Sequence, residues 1–354
     1  MEKGSIAICF VEQAIRGLRR RRIDAAPILR AAGIAPHLLN IAQARVSAAS
    51  YSALWRLVAN ALDDEFFGED SHPMRVGSFA MLCHAVLGCD NLEHAIRRIS
   101  RFFTLVLDDL GVTLEQTDTT AVIRLVQRNT PVTRIFAHET MLIMLHGLMC
   151  WLVGRRVPLL QACFAYPEPV YSAEYKMMYS VNLGFDMPTT QIEFESRYLA
   201  LPVVQNGETL QVFLHNAPEN IVLKYKSERS VTAQVRRQLR NLPPSEWPGF
   251  EVVAAALHLT GSTLRRRLAD EGQSYQGLID ELRRDLAIDA LTHSAQTVSE
   301  ISAQLGFADP GSFHRAFKKW TGTPPAGYRK TRAAPKLAAG TAIGKPSAAV
   351  RSTT

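Results

Sequence analysis

The chain has 354 residues, of which 47% are hydrophobic and 21% charged, as in ordinary soluble globular proteins. This length exceeds that of one typical domain and allows a large core, so no disulfide or metal staple is needed. The formal net charge of +7 is compatible with nucleic acid or an anionic membrane surface as a partner.

The N-terminus lacks a charged region, a long apolar segment and a cleavage site, so no signal peptide is predicted. No stretch approaches the roughly 18 consecutive apolar residues of a membrane span. We therefore expect a cytoplasmic protein with no membrane partner.

The cysteines give no sign of a metal site or of a disulfide framework. They are odd in number and lie in apolar sequence of the first half: Cys9, Cys83, Cys89, Cys150 and Cys163. Buried free thiols in a reducing compartment explain this usage. His138-Glu139 begins like a zinc-protease helix, but Leu142 stands where the second histidine is required. We expect no metal, no cofactor and no catalytic residue.

Residues 1–205 mix helical and strand patterns, which predicts an α+β domain. Apolar residues recur at helical spacing in four segments: Ser5–Arg22, Ala25–Ala32, Ser50–Leu62 and His138–Val153. Alternating or apolar runs predict strands in four others, the first two forming a hairpin: Gly111–Gln116, Ala121–Val126, Gln161–Tyr166 and Gln191–Phe194. The basic run Arg19–Arg22 is compatible with DNA contact or with a solvated helix end.

Two segments are predicted to lie outside the packed domains. Residues 206–228 form a linker, because Asn206-Gly207 and Asn216-Ala217-Pro218 are breakers at which the flanking domains could reorient. Residues 333–354 are rich in Ala, Gly, Pro, Ser and Thr, which predicts a disordered tail.

The basic region 229–332 contains a first helix-turn-helix pattern at about 251–272. A short apolar helix ends at the turn His258-Leu259, and Thr260 is suited to cap the next helix. Leu264 and Leu268 lie at i and i+4 and therefore share the inner face. The residues that point away from this face, and that could enter a major groove, are Ser262, Arg265 and Arg266.

The same pattern recurs at about 298–321. Gly306-Phe307 makes the turn, Asp309 caps the second helix, and Pro310 suits its first position. Phe313 and Phe317 share the inner face. The outward residues of this helix are Gly311, Ser312 and Arg315, with Lys318 and Lys319 further along.

A helix from Tyr275 to Leu291 separates the two units. Its 17 or so residues span roughly 25 Å, which would place the two reading helices near 34 Å apart, about one turn of DNA. One chain could then read two successive major grooves on one face of the duplex. Ordinary helical hairpins would explain one such unit, but two in tandem with a stiff spacer favour DNA binding.

These residues resemble the DNA-binding domain of the AraC/XylS family. The resemblance covers about 100 residues and rests on four stretches: Arg265–Gly272, Leu305–Pro310, Phe313–Trp320 and Gly322–Arg329. It implies an all-α domain of two helix-turn-helix units joined by a long helix. It assigns Ser262, Arg265 and Arg266 to base contacts in the first unit, and Gly311, Ser312 and Arg315 to those in the second. We assign phosphate contacts to Lys318, Lys319 and Arg329. Gly311 replaces a longer polar residue of some relatives, so the second unit is expected to contact mainly the DNA backbone.

The N-terminal region resembles the domain labelled arabinose-binding in a branch that includes ornithine-utilisation-type regulators. The matching stretches are Gly77–Phe79, Leu92–Ile96, Phe102-Phe103 and Arg197–Pro202. The resemblance implies a sensor and dimerisation domain. The expected partners are double-stranded DNA, a second copy of the chain, a small-molecule effector and RNA polymerase, and the expected role is that of an activator.

Two other functions are compatible with a basic, helical DNA-binding region. An architectural or constitutive DNA-binding protein would rely on phosphate contacts and would not need an apolar domain of about 200 residues. A DNA-repair methyltransferase with a similar DNA-binding module would need clustered cysteines and a nucleophile motif, which the sequence lacks.

Overall fold

The structure is a computed structural model that describes residues 5–129, 134–218, 221, 231–270 and 273–329. The predicted tail at 333–354, Glu271-Gly272 of the first unit, and most of the second half of the predicted linker lie outside these residues. An α+β domain is followed by an all-α region, as the sequence predicts.

The N-terminal domain begins with a two-stranded ribbon and short helices. β1 (Ser5–Ala7) pairs antiparallel with β2 (Arg45–Ser47). Four helices accompany the ribbon: α1 (Ile8–Ala14), α2 (Arg16–Arg20), α3 (Ala25–Ala31) and α4 (Ala48–Leu62). The single helix predicted over Ser5–Arg22 is therefore wrong, since its first three residues pair as a strand and the helix breaks at Ile15. The helices predicted at Ala25–Ala32 and Ser50–Leu62 are confirmed.

A five-stranded sheet forms the centre of this domain. Its strands are β3 (Leu110–Gln116), β4 (Thr120–Gln127), β5 (Gln161–Cys163), β6 (Leu183–Gly184) and β7 (Gln191–Glu195). They lie in the order β3-β4-β7-β5-β6, with β5 and β6 parallel and the other neighbours antiparallel. The predicted hairpin is confirmed as β3 and β4, and the strand predicted over Gln161–Tyr166 ends at Cys163.

Helices pack on this sheet and on each other. They are α5 (Ser78–Leu87), α6 (Leu92–Val106), α7 (Ile135–Leu152) and α8 (Ala173–Met178). α7 has the length and apolar composition of a membrane span, so the prediction that no stretch approaches one is wrong. It is 89% buried within the domain, which identifies it as a core helix rather than evidence for a membrane.

The segment predicted as a linker begins with a helix. Asn206 caps α9 (Gly207–Asn216) in a capping box with Thr209, so it starts a helix instead of breaking the chain. Phe213 of α9 stacks on Trp151 of α7 at 4.3 Å between ring centroids. α9 is therefore packed against the N-terminal domain, and the breaker predicted at Asn206-Gly207 is not a hinge.

The C-terminal region is built from seven described helices. They are α10 (Val231–Arg240), α11 (Phe250–Ala256), α12 (Gly261–Asp270), α13 (Tyr275–His293), α14 (Val298–Gln304), α15 (Pro310–Thr321) and α16 (Pro325–Arg329). The first half of α13 packs into a small separate core with α10, α11 and α12. The second half packs with α14, α15 and α16 in a core that is continuous with the N-terminal domain.

The contact between the second helix-turn-helix unit and the N-terminal domain is formed at β2 and the residues before it. The Tyr328 hydroxyl of α16 donates a hydrogen bond to the backbone carbonyl of Arg45. Gly322, at the end of α15, lies so close to Ile41 that a Cβ there would come within 2.9 Å of it. This interface is not visible in the sequence, because Tyr328 and Arg45 lie 283 positions apart.

Candidate nucleic-acid interface

The first unit consists of α11, a tight turn and α12. His258 adopts a left-handed conformation at the turn, with φ of 56°. The Thr260 hydroxyl accepts a hydrogen bond from the Thr263 amide, which confirms the predicted cap. Leu264 and Leu268 are buried in the core of the unit, as their spacing predicts. α12 is thus fixed by its inner face and leaves the other face to solvent.

The residues predicted to face DNA in this unit lie on that exposed face. Ser262, Arg265 and Arg266 are all exposed. The Arg265 guanidinium lies 5.2 Å from the centre of the Phe250 ring, a distance at which cation and ring attract each other. Phe250 therefore orients Arg265 before any DNA is bound, and it was not identified from the sequence.

The second unit repeats this arrangement with a stronger cap. Gly306 makes the turn with φ of 73°. An Asp309 carboxylate oxygen accepts from the Ser312 amide at 2.9 Å, and the other accepts from the Ser312 hydroxyl at 2.6 Å. These bonds hold the pKa of Asp309 below its usual value. Arg315 donates to the same Ser312 hydroxyl at 2.9 Å, so Ser312 connects the cap to the predicted reading residue.

Gly311 contributes space at this cap. It is exposed, and a Cβ at this position would lie 2.9 Å from Asp309 Oδ1. A larger residue would crowd the carboxylate that caps α15. Gly311 offers a base no side chain, and the expectation that the second unit contacts mainly the DNA backbone stays a prediction.

The three predicted phosphate contacts differ in accessibility. Lys318 and Lys319 are exposed on the last turn of α15. Arg329 is half-buried, and its Nε and Nη2 atoms lie beneath the surface. The phosphate role of Arg329 stays a prediction, and it would require those two nitrogens to move or another part of the guanidinium to make the contact.

An arginine of α13 joins the two units. The Arg283 guanidinium lies 5.9 Å from the Trp247 ring of the first unit and 5.1 Å from the Phe307 ring of the second. Arg236 of α10 forms an ion pair with Glu281 of α13 at 2.5 Å. Sequence reasoning missed Arg283 because it identified α13 only as a spacer. The 19 residues of α13 span about 28 Å, close to the predicted spacer length.

We predict that base reading and phosphate binding can be separated by two substitutions. Arg265→Ala should cost about 1–3 kcal/mol on a specific site and relax the preference at one base pair. Lys318→Ala should weaken specific and random DNA alike and reduce the salt slope by about one. Fluorescence anisotropy titrations at several salt concentrations would measure both effects. Equal losses on specific and random DNA for both variants would contradict the assignment.

The described residues contain no group of three or more His, Cys, Asp or Glu side chains placed to hold a metal ion. All five cysteines are free. Burial raises the pKa of Cys9 to about 12, which is unsuited to a thiolate nucleophile at neutral pH.

Known protein families match both parts of the chain. Residues 23–203 match the arabinose-binding domain of AraC transcription regulators, and residues 253–331 match a helix-turn-helix domain. The crystal structure of the transcriptional regulator CdpR from Pseudomonas aeruginosa aligns over 90% of this chain and 97% of that chain at 20% identity. Its TM-score of 0.31 does not establish the same overall arrangement.

Curated relatives cover most of the chain. The ornithine utilization regulator of Pseudomonas aeruginosa is 31% identical over 260 residues, which are 73% of this chain and 76% of that protein. An uncharacterized HTH-type transcriptional regulator of Mycobacterium tuberculosis is 27% identical over 327 residues, covering 88% of this chain and 92% of that protein. These matches are to transcriptional regulators and not to enzymes. The chain therefore belongs to the AraC family of DNA-binding transcription regulators.

Proposed function

We propose that this regulator binds DNA as a homodimer and that each protomer reads two successive major grooves. A small-molecule effector controls this binding through residues before the DNA-binding region. The observation that carries this proposal is the pair of capped helices, α12 and α15, whose exposed faces carry Arg265, Arg266 and Arg315. α13 separates them along the chain, and we propose that it spaces them about one turn of DNA apart.

The contact between the domains supports effector control. α13 belongs to two cores, since its first half packs in the first unit and its second half packs with the N-terminal domain. A shift of β2 would reach the second unit through Tyr328 while leaving the first unit in its own core. An effector that binds one arrangement better than the other would change the relative placement of the two reading helices, typically with about 1–3 kcal/mol of coupling.

The remaining partners follow from the same role. We propose that the bound dimer activates transcription by contacting RNA polymerase. We further propose that it acts in the cytoplasm, where the five free thiols would stay reduced.

Footprinting tests the two-groove arrangement. We expect one protomer to protect two patches on one face of a target selected from random-sequence DNA, with centres about one helical turn apart. A dimer should protect two such pairs in repeat. Hydroxyl-radical cleavage would resolve the patches, and a single isolated patch per protomer would contradict the model. A variant with Arg315→Ala should weaken only the patch assigned to the second unit.

The same selected target separates a specific regulator from an architectural protein. A specific regulator should bind it about 10³-fold or more tightly than a scrambled duplex of equal length. Equal affinities would favour the architectural alternative.

A further inference from the structure

A buried carboxylate of α7 faces α8 inside the N-terminal domain. Glu139 of α7 is fully buried, and its Oε1 accepts a hydrogen bond from the Tyr175 hydroxyl. Four tyrosines surround it and are called the tyrosine cluster below: Tyr166, Tyr171, Tyr175 and Tyr179. Burying a carboxylate is costly unless it is paired with a cation or fully hydrogen-bonded.

This carboxylate is only partly satisfied by the protein. Glu139 Oε2 is buried and receives no hydrogen bond of normal geometry from the residues that the structure describes, although the Tyr171 hydroxyl also acts on this carboxylate. Nearby Gln13 donates to the Tyr171 hydroxyl at 2.9 Å, but its own Oε1 is likewise buried without a donor. Gln13 Oε1 is an acceptor, and so is Glu139 Oε2 when the carboxyl group is ionised. A bound group would therefore have to supply hydrogen-bond donors.

The charges around the cluster favour a cation. The negative charge of Glu69 acts on Glu139, and that of Glu174 acts on Cys9. Arg45 is engaged by Glu174 at 2.5 Å and by Ser5, and the Arg16 side chain is exposed. No buried arginine or lysine is therefore available, within the described residues, to neutralise Glu139.

The aromatic faces favour a cation as well. Tyr171, Tyr175 and Tyr179 form a chain of edge-on contacts with centroid distances of 6.0 Å and 5.5 Å. Phe10 and Phe164 extend this chain at either end. Rings of this kind attract an ammonium group, most strongly where water is excluded.

We propose that Glu139 and the tyrosine cluster form the effector site, and that the effector is a small organic cation with a primary ammonium group. This inference rests on the proposed effector control and names its ligand class. The ammonium donates to Glu139 Oε2, and the tyrosine rings cover the attached carbon chain. Cys9 and Tyr171 are only half-buried, and we expect the ligand to enter on their side of the cluster.

A continuous set of contacts leads from this site to the second DNA-binding unit. Tyr175 and Glu174 are neighbours on α8, and Glu174 is paired with Arg45 of β2. The Arg45 carbonyl in turn accepts the hydrogen bond from Tyr328. A ligand that changes the position of α8 would therefore act on the strand to which the second unit is attached.

Calorimetry on the full chain would test the ligand class. The probes are primary alkylamines from ethylamine to hexylamine, each paired with the alcohol of the same length, and L-arabinose as a neutral polyol. We expect at least one amine to bind, with its alcohol at least about tenfold weaker because the charge-assisted bond is lost. Glu139→Gln should weaken that amine at least about tenfold. The exposed Glu12→Gln on α1 is the matched control and should bind like the unaltered chain.

Proton release gives a second readout that needs no variant. Burial raises the pKa of Glu139 to about 7, and a bound cation would lower it. The other titratable or charged groups that act on Glu139 or face it are Cys9, Arg16, Tyr51, Glu69, Tyr166, Tyr171, Tyr175 and Tyr179. We therefore expect about half a proton to be released per amine at pH 7, measured as a difference in binding enthalpy between phosphate and Tris buffers.

The outcomes distinguish the site from the proposed control. The inference is overturned if alcohols or arabinose bind as tightly as the amines, if none of the amines binds, or if Glu139→Gln leaves amine binding unchanged. If the same preparation still binds the selected DNA more tightly than the scrambled duplex, the proposed DNA-binding function stands. If an amine binds at Glu139 but neither the affinity nor the footprint on the selected DNA changes, the site stands and effector control fails.

Discussion

Replacing Gly306 by valine is expected to destabilise the second helix-turn-helix unit by about 3 kcal/mol or more, and to abolish its part of the DNA footprint. Gly306 has φ of 73°, a conformation that costs an ordinary L-residue about 1–2 kcal/mol and a β-branched residue more. A Cβ here would also lie 2.9 Å from both the Pro244 carbonyl oxygen and Ser245 Cα. Both neighbours are backbone atoms, so they cannot rotate out of the way.

The loss should extend beyond the turn itself. Pro244 and Ser245 precede the first unit, so the close approach at Gly306 also holds the second unit against the segment that leads into the first. Thermal unfolding would report the destabilisation, and hydroxyl-radical footprinting would report the change in the second patch. Gly249→Val is the matched control, because Gly249 has φ of −69° and open space around its Cβ position. If both variants unfold at the same temperature as the unaltered chain, the close approach is unimportant.

The two helix-turn-helix units were predictable because their determinants are local. Apolar pairs at i and i+4, such as Leu264 with Leu268, fix which face of a helix is buried without reference to the rest of the chain. Thr260 and Asp309 occupy cap positions that any helix of this kind needs. Even the first turn was predicted correctly, although it places His258 rather than glycine in the left-handed region.

Features that depend on distant partners were missed. Tyr328 and Arg45 are 283 positions apart, and no periodicity connects them. Glu139 entered the sequence analysis only as part of a failed zinc pattern, since the tyrosine that bonds to it is 36 positions away. α9 was missed for another reason. Asn206-Gly207 fits a breaker and a helix start equally well, and burial of Phe213 against Trp151 decides between them.

We expect Glu139→Gln to stabilise the protein much more at pH 8 than at pH 4.5. Burial raises the pKa of Glu139 from 4.5 in the unfolded chain to about 7 in the folded one. Between these values the folded state keeps a proton that the unfolded state has lost, so the stability falls as the pH rises. The fall amounts to about 3 kcal/mol across the window and stops above pH 7. Glutamine resembles the protonated acid and cannot ionise, so the variant escapes this loss.

His138, next to Glu139, also makes the stability depend on pH. The difference in unfolding free energy between Glu139→Gln and the unaltered chain is therefore more informative than the pH dependence of either protein alone. Burial lowers the pKa of His138 from 6.5 to about 4, so its contribution to stability rises with pH across that range. In the unaltered chain the two trends offset each other between about pH 4.5 and 6.5. In Glu139→Gln the rise due to His138 remains alone, so its unfolding free energy should diverge upward from that of the unaltered chain. Denaturant unfolding at pH 4.5, 6 and 8 would measure this divergence, with Glu12→Gln as the exposed control. Parallel curves for Glu139→Gln and the unaltered chain would show that Glu139 is already ionised in the folded protein at pH 4.5, and the carboxylate would then have to be neutralised by a partner within the domain.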